Sequence, residues 1–153
     1  MSLFPFFKKK EHFSEEEKAK IVNAIRHAEQ QTSGEVRVYV ESRNPLMDPV
    51  ERAATLFFKL KMDKTDHRNG VLLYVAVKDK EIALFGDEGI YKATGKPFWD
   101  NAVRNMISHI TVDDFCAGMV TCIHTVGETL KEKFPYIKSE DKNELPDDII
   151  FGR

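Results

Sequence analysis

Asp66-His67-Arg68-Asn69-Gly70-Val71-Leu72-Leu73-Tyr74-Val75-Ala76-Val77-Lys78-Asp79-Lys80-Glu81-Ile82-Ala83-Leu84-Phe85-Gly86-Asp87-Glu88-Gly89 reads as a polar turn, an apolar strand, a charged turn, a second strand and an acidic loop between glycines. Residues 71–77 are too apolar for a strand with one wet face, so this strand is expected at the centre of a sheet covered on both sides by helices. Residues 78–81 reverse the chain into a strand over 82–85. A hairpin of the two strands brings Asp66, Asn69, Asp87 and Glu88 together at the end away from that turn.

Working toward the N-terminus, the chain shows a strand with valines at 36, 38 and 40, alternating with Arg37 and Tyr39, expected over 35–41 and half covered or at an edge. Before it, Ser14 and Glu17 form a capping-box pattern and Ile21, Ala24, Ile25 and Ala28 follow at helical spacing, so the first helix spans 14–31. Asp48 and Pro49 open a second helix with Val50, Ala53, Ala54, Phe57 and Leu60 on one face. A crossover of this length between two strands favours parallel pairing.

Toward the C-terminus, Pro97 sits where a first-turn proline belongs, and Phe98, Ala102, Val103, Met106, Ile107 and Ile110 give a third helix its apolar face. Thr111 and Asp114 open a fourth, with Phe115, Met119, Cys122, Ile123, Val126 and Leu130 facing the core. The expected fold is therefore α/β: a three-layer α/β/α sandwich with a small mixed sheet and about four main helices. The domain is placed at 14–136. Residues 1–13 form an N-terminal arm and 137–153 a flexible acidic tail, in which Ile149-Ile150-Phe151 is a patch able to dock back on the body.

Composition narrows the function. With 153 residues, 42% hydrophobic and 31% charged, the chain fits one globular domain. A net charge of −2 gives no general electrostatic reason to bind nucleic acid or an anionic membrane. Cys116 and Cys122 fall on different faces of the fourth helix, where they do not readily bridge, which fits a reducing compartment. No apolar run approaches the roughly 18–20 residues of a membrane helix. Phe4-Pro5-Phe6-Phe7 is followed rather than preceded by its lysines, unlike a signal peptide. The expected location is cytoplasmic, with no integral membrane segment.

Five short motifs in order carry a resemblance. They are Thr32-Ser33-Gly34-Glu35 before the valine strand, Asn69-Gly70-Val71-Leu72-Leu73 opening the central strand, Lys78-Asp79-Lys80 in the turn, Gly86-x-x-Gly89 after the hairpin, and Asp114-Phe115 at the start of the last helix. Over residues 14–134 the chain resembles the TPM domain family. The resemblance implies an α/β/α sandwich and links to acid phosphatase activity, divalent cations and the maintenance or assembly of membrane protein complexes. Many members carry a signal peptide and a following membrane helix, neither of which is read in this sequence. Asp87-Glu88 between the two glycines also departs from the family's Gly-x-Gly turn.

A hard cation such as Ca²⁺ or Mg²⁺ takes several oxygen ligands, and neighbouring carboxylates repel unless something positive screens them. The expected pairing puts Glu35, Asp66, Asn69, Asp87 and Glu88 on one edge of the sheet, with Asp66 and Asp87 as the leading ligands. The competing reading makes Asp66 and Asn69 turn-formers and leaves Asp87-Glu88 facing water. A phosphatase would use Asp66 or Asp87 through the metal, His67 as an acid and Arg68 as a phosphate clamp. His12, His27, His109 and His124 have no evident chemical partners. The second class of function is a non-catalytic module that contacts a protein partner through the loop edge, the Phe-rich arm or the C-terminal patch.

Overall fold

The computed structural model describes residues 12–108, 110, 114–137 and 147–152. In chain order it runs α1 (Glu15–Gln31), β1 (Glu35–Glu41), α2 (Pro49–Lys59), β2 (Gly70–Ala76), β3 (Glu81–Gly86), α3 (Glu88–Thr94), α4 (Lys96–Ser108), α5 (Phe115–Leu130) and β4 (Ile150–Phe151). The strands form one sheet in the order β3-β2-β1-β4. β1 lies parallel to both β2 and β4, whereas β2 and β3 are antiparallel. The mixed sheet and its central hairpin are those the sequence leads one to expect. The Phe-rich arm, His109, Thr111 and most of the acidic tail lie outside the described residues.

The period-2 pattern of the strands sorts two cores. Val36, Val38, Val40, Val71, Leu73 and Val75 pack with α1, α4 and α5, while Leu72, Tyr74 and Ala76 pack with Ala53, Leu56 and Phe57 of α2 and with Met62. Every residue of β2 is buried, as befits a strand walled on both faces. The N-termini of α1, α2 and α5 are capped where the sequence places them. Ser14 and Glu17 exchange bonds as a full capping box, Asp48 accepts from Val50 and Glu51, and Asp114 accepts from Ala117.

Four details differ from the sequence reading. β1 is not an edge, because β4 pairs with Tyr39 and Val40, so the C-terminal patch docks by strand addition. The Gly86–Gly89 stretch is not an open loop: Asp87 caps α3, which brings the helices to five among the described residues, and Gly95 ends α3 at φ +88°. Val50 is exposed and Leu56 is buried, so that Ala53, Leu56 and Phe57 make α2's buried face. On α4, Phe98 is exposed rather than part of the apolar face, while its neighbour Trp99 is fully buried. Trp99 packs on Gly86, where an added Cβ would stand 2.8 Å from the indole ring. No described helix is long and apolar enough to cross a membrane.

Candidate functional site

Parallel β1 and β2 start at the same end of the sheet, and antiparallel β3 finishes there. Register fixes the assembly: Glu35 pairs with Gly70, and Gly86 with Val71. Ser33, Glu35, Asn69 and Asp87 are thereby drawn to one edge. The loop before β2 is pressed onto the start of α3, since the Gly89 N–H donates to the Arg68 carbonyl at 2.9 Å. Gly89 is required by this closeness, because a Cβ there would sit 2.2 Å from the His67 carbonyl oxygen. Asp66, two residues before Arg68 in the chain, is exposed, as is His67.

The centre of the edge is an ion pair. Arg68 donates from Nε to Asp87 Oδ2 at 2.7 Å and from Nη2 to Oδ1 at 2.8 Å, a bidentate fork. Asp87 is 2% exposed and Arg68 35%. Glu88 approaches Arg68 Nη1 at 3.3 Å and Lys92 Nζ at 3.2 Å, but is half exposed. Asp87 Oδ1 also accepts the Glu88 N–H at 2.7 Å, and the Asp87 N–H donates to Gly70 O at 3.0 Å. The hydrogen bond to Asp87 is the leading cause that holds the Arg68 guanidinium more firmly protonated than usual. Arg68 itself sits at φ +51°, in the left-handed region.

The expected catalytic pair Asp87 and Arg68 therefore neutralise one another. His67 is beside them in sequence and exposed to solvent. Asn69 is 1% exposed; its Nδ2 donates to Ser33 Oγ at 3.3 Å, and its Oδ1 is buried without a donor among the described residues. Glu35, 4% exposed, donates its backbone N–H to the Asn69 carbonyl at 3.4 Å. Among the described residues, no three of His, Cys, Asp and Glu converge on one point suited to a metal ion. The oxygen set is thus mixed: two exposed carboxylates at 66 and 88, one carboxylate held by arginine and one buried amide oxygen. Hard cations accept such mixtures, including backbone carbonyls and water.

Sequence reasoning misses three contributors. Ser33 carries no local signal beyond a helix stop; Thr65 Oγ1 and Trp99 Nε1 are buried and lack partners among the described residues. Nothing nearby in the chain marks them, because each acquires its place through contacts distant in sequence. A second polar cluster at the opposite end is equally unannounced. Glu41, 3% exposed, accepts from Arg52 at 2.9 and 3.0 Å and from the Tyr74 hydroxyl, tying α2 to the sheet. Burial first, then Glu41, raises the Tyr74 phenol above its usual range. The remaining described histidines have modest contacts: His12 meets Ser42 at 3.1 Å, and His27 meets Gln31 at 2.9 Å and the His124 ring edge-on.

Residues 7–129 match the family model described as the TPM domain. The chain is similar to the BA42 protein of the psychrophilic bacterium Bizionia argentinensis, solved by NMR, with 40% identity, a TM-score of 0.84, and coverage of 95% of this chain and 99% of that one. The N-terminal domain of the cg2496 protein of Corynebacterium glutamicum shares the fold at 14% identity and TM-score 0.60, covering 78% of this chain and 74% of that one. No curated protein matches the chain. Order of motifs, sheet topology and matched length agree, and the chain belongs to the TPM domain family.

Proposed function

We propose that this chain is a divalent-cation-binding module that takes Ca²⁺ or Mg²⁺ at the edge formed by Asp66, Asn69, Asp87 and Glu88. The observation that carries the reading is the Arg68 guanidinium, an internal cation gripped by Asp87 and Glu88 at 2.7–3.3 Å. Carboxylates that need a positive partner have one supplied by the protein, and a doubly charged ion competes for the same oxygens. The Asn69 Oδ1, without a donor among the described residues, adds a neutral oxygen of the kind such ions use. Glu35 is left out of this set because its carboxyl faces Glu29 electrostatically.

Binding in this reading displaces Arg68 from Asp87, which makes affinity modest and couples the ion to the 66–69 loop. The same pairing argues against phosphate monoester hydrolysis by Asp87, His67 and Arg68 as arranged, since the clamp and the carboxylate already satisfy each other. The module reading therefore stands ahead of the phosphatase one. Titration with CaCl₂ and MgCl₂, followed by amide shifts, tests it. Movement confined to residues 65–70 and 86–90 is expected; no response at millimolar concentrations of either ion removes the proposal. An aryl phosphate assay with added Mg²⁺ is expected to show no turnover that Asp87→Ala abolishes.

A further inference from the structure

Residues 147–152 lie along β1 with more specificity than a short edge strand needs. Ile150 pairs with Tyr39 and Phe151 with Val40, and the Gly152 N–H donates to Val40 O at 2.7 Å. Phe151 lies under Lys18, whose Nζ is 5.4 Å from the ring centroid. Gly152 fits against the Tyr39 ring so closely that a Cβ would come within 2.3 Å of the hydroxyl oxygen and 2.7 Å of the ring carbons. Tyr39 has little room to retreat, because it stacks on Tyr74, and Tyr74 is held by Glu41.

The acidic residues that precede the strand are also matched. Asp147, 16% exposed, lies 3.5 Å from Arg26 Nε and shares a hydrogen bond with the carboxyl of Glu29. Asp148 faces the Arg37 guanidinium electrostatically. An edge of β1, the Lys18 ammonium of α1 over the Phe151 ring, a glycine-sized gap at Tyr39 and two arginines thus read an extended segment along its length. This is strand addition, with side-chain contacts supplying selectivity.

We propose that the outer edge of β1 is a peptide-binding site for an extended segment of the pattern Asp-Asp-Ile-Ile-Phe-Gly, occupied in cis by residues 147–152 of the same chain. Occupation in cis makes the site self-masked. A tethered segment competes at an effective concentration of about millimolar, so a free peptide of the same pattern binds only where the internal one is released. The proposal is independent of the cation reading, as it uses the other side of β1 and none of the residues assigned to the ion.

The test uses the full chain. Gly152→Val puts side-chain atoms into the Tyr39 ring and is expected to release the segment: amide signals of Tyr39, Val40 and Glu41 shift, and the Lys18 signals follow. Signals from β3 and α5 stay in place, showing that the body is folded. Adding the synthetic peptide Asp-Asp-Ile-Ile-Phe-Gly-Arg then returns the Tyr39 and Val40 signals toward wild-type positions, while a peptide with valine for glycine does not. Phe151→Ser provides a second release that leaves the glycine gap untouched and is expected to be rescued by the same peptide. The proposal is overturned if both variants keep wild-type signals along β1, or if the peptide rescues neither.

Discussion

Arg68 and Asp87, 19 residues apart in the chain, meet in a two-point ion pair at 2.7 and 2.8 Å that joins the loop before β2 to the cap of α3. In the cation reading, this arginine is the ion's direct competitor. Arg68→Gln is expected to tighten Ca²⁺ or Mg²⁺ binding by about tenfold, because the competent arrangement no longer has to be released from the guanidinium. Asp87→Asn is expected to abolish it. Calorimetric titration of both variants decides the matter, and equal affinities in wild type and Arg68→Gln would mean that the guanidinium does not occupy the ion's place.

Gly89 is a packing glycine. Its Cβ would meet the His67 and Arg68 carbonyl oxygens at 2.2 and 2.6 Å, both backbone atoms that cannot swing aside. Gly89→Ala is expected to cost about 1–3 kcal/mol by urea unfolding, whereas the same exchange at an unhindered helical position gains stability. A neutral result would show that the loop and α3 separate freely.

Leu46 shows the reverse situation. Its side chain is fully exposed, at 103% of the reference, and its backbone sits at φ +55°. Nothing is lost by removing the side chain, and left-handed backbone disfavours any residue with a Cβ. Leu46→Gly is expected to stabilise the fold by roughly 0.5 kcal/mol, after the added freedom of the unfolded chain is subtracted. A clear loss of stability would reveal a contact for Leu46.

At the far end of β1, Arg52→Ala would leave the Glu41 carboxylate buried with Tyr74 as its remaining side-chain partner among the described residues. A drop of about 3 kcal/mol is expected in denaturant unfolding, the low end for a broken buried pair because Arg52 is partly exposed. Arg52→Lys is expected to recover less than half, since one ammonium cannot make the fork. Full recovery would reduce the pair to simple charge.

Glu29 carries the pH dependence of the C-terminal segment. Burial first, then the hydrogen bond with Asp147, moves its carboxyl from 4.5 up to about 10, while the Val36 N–H at 2.9 Å pulls the other way. Glu35 on β1 and Asp147 on the segment face it with negative charge; Arg37 and Arg26 stand nearby with positive charge. A raised folded-state value means that the docked form holds its proton more tightly than the released one. The native fold is therefore favoured most below about pH 4.5 and loses this contribution as pH rises toward 10, and the share that comes from Asp147 is lost by the docked segment in the same direction. Exchange of the Gly152 amide, corrected for intrinsic base catalysis, is expected to speed up over that window, and Glu29→Gln to flatten the profile. An unchanged profile in Glu29→Gln would assign the dependence elsewhere.

Much of this molecule is legible in its sequence because the decisive signals are local. Ser14 with Glu17, Asp48 with Pro49, and the unbroken apolar run of β2 each act within a few residues, and the structure follows them. The gathering of Asn69 and Asp87 is also readable, as parallel and antiparallel pairing leave little choice of edge. What escapes depends on distant partners. Gly89 reads as a loop breaker, and only the His67 carbonyl above it shows why no larger residue fits; Glu41 reads as a strand end, and Arg52 reaches it from α2. Phe98 reads as part of α4's buried face and is exposed, because the neighbour that sets the helix's orientation, Gly86 under Trp99, lies on another element.

The two faces of the sheet are unequally clad: among the described residues four helices insulate one, and α2 is the single helix that shields the other, with Val50 and Phe58 already at the surface. Such a molecule has a thick side and a thin one. Thermal fluctuation should breach it through α2, so that solvent first reaches Leu72 and Tyr74 while the valine layer behind the sheet stays dry. Cooling, ligands or substitutions that quiet this single helix will govern how long the whole sheet survives.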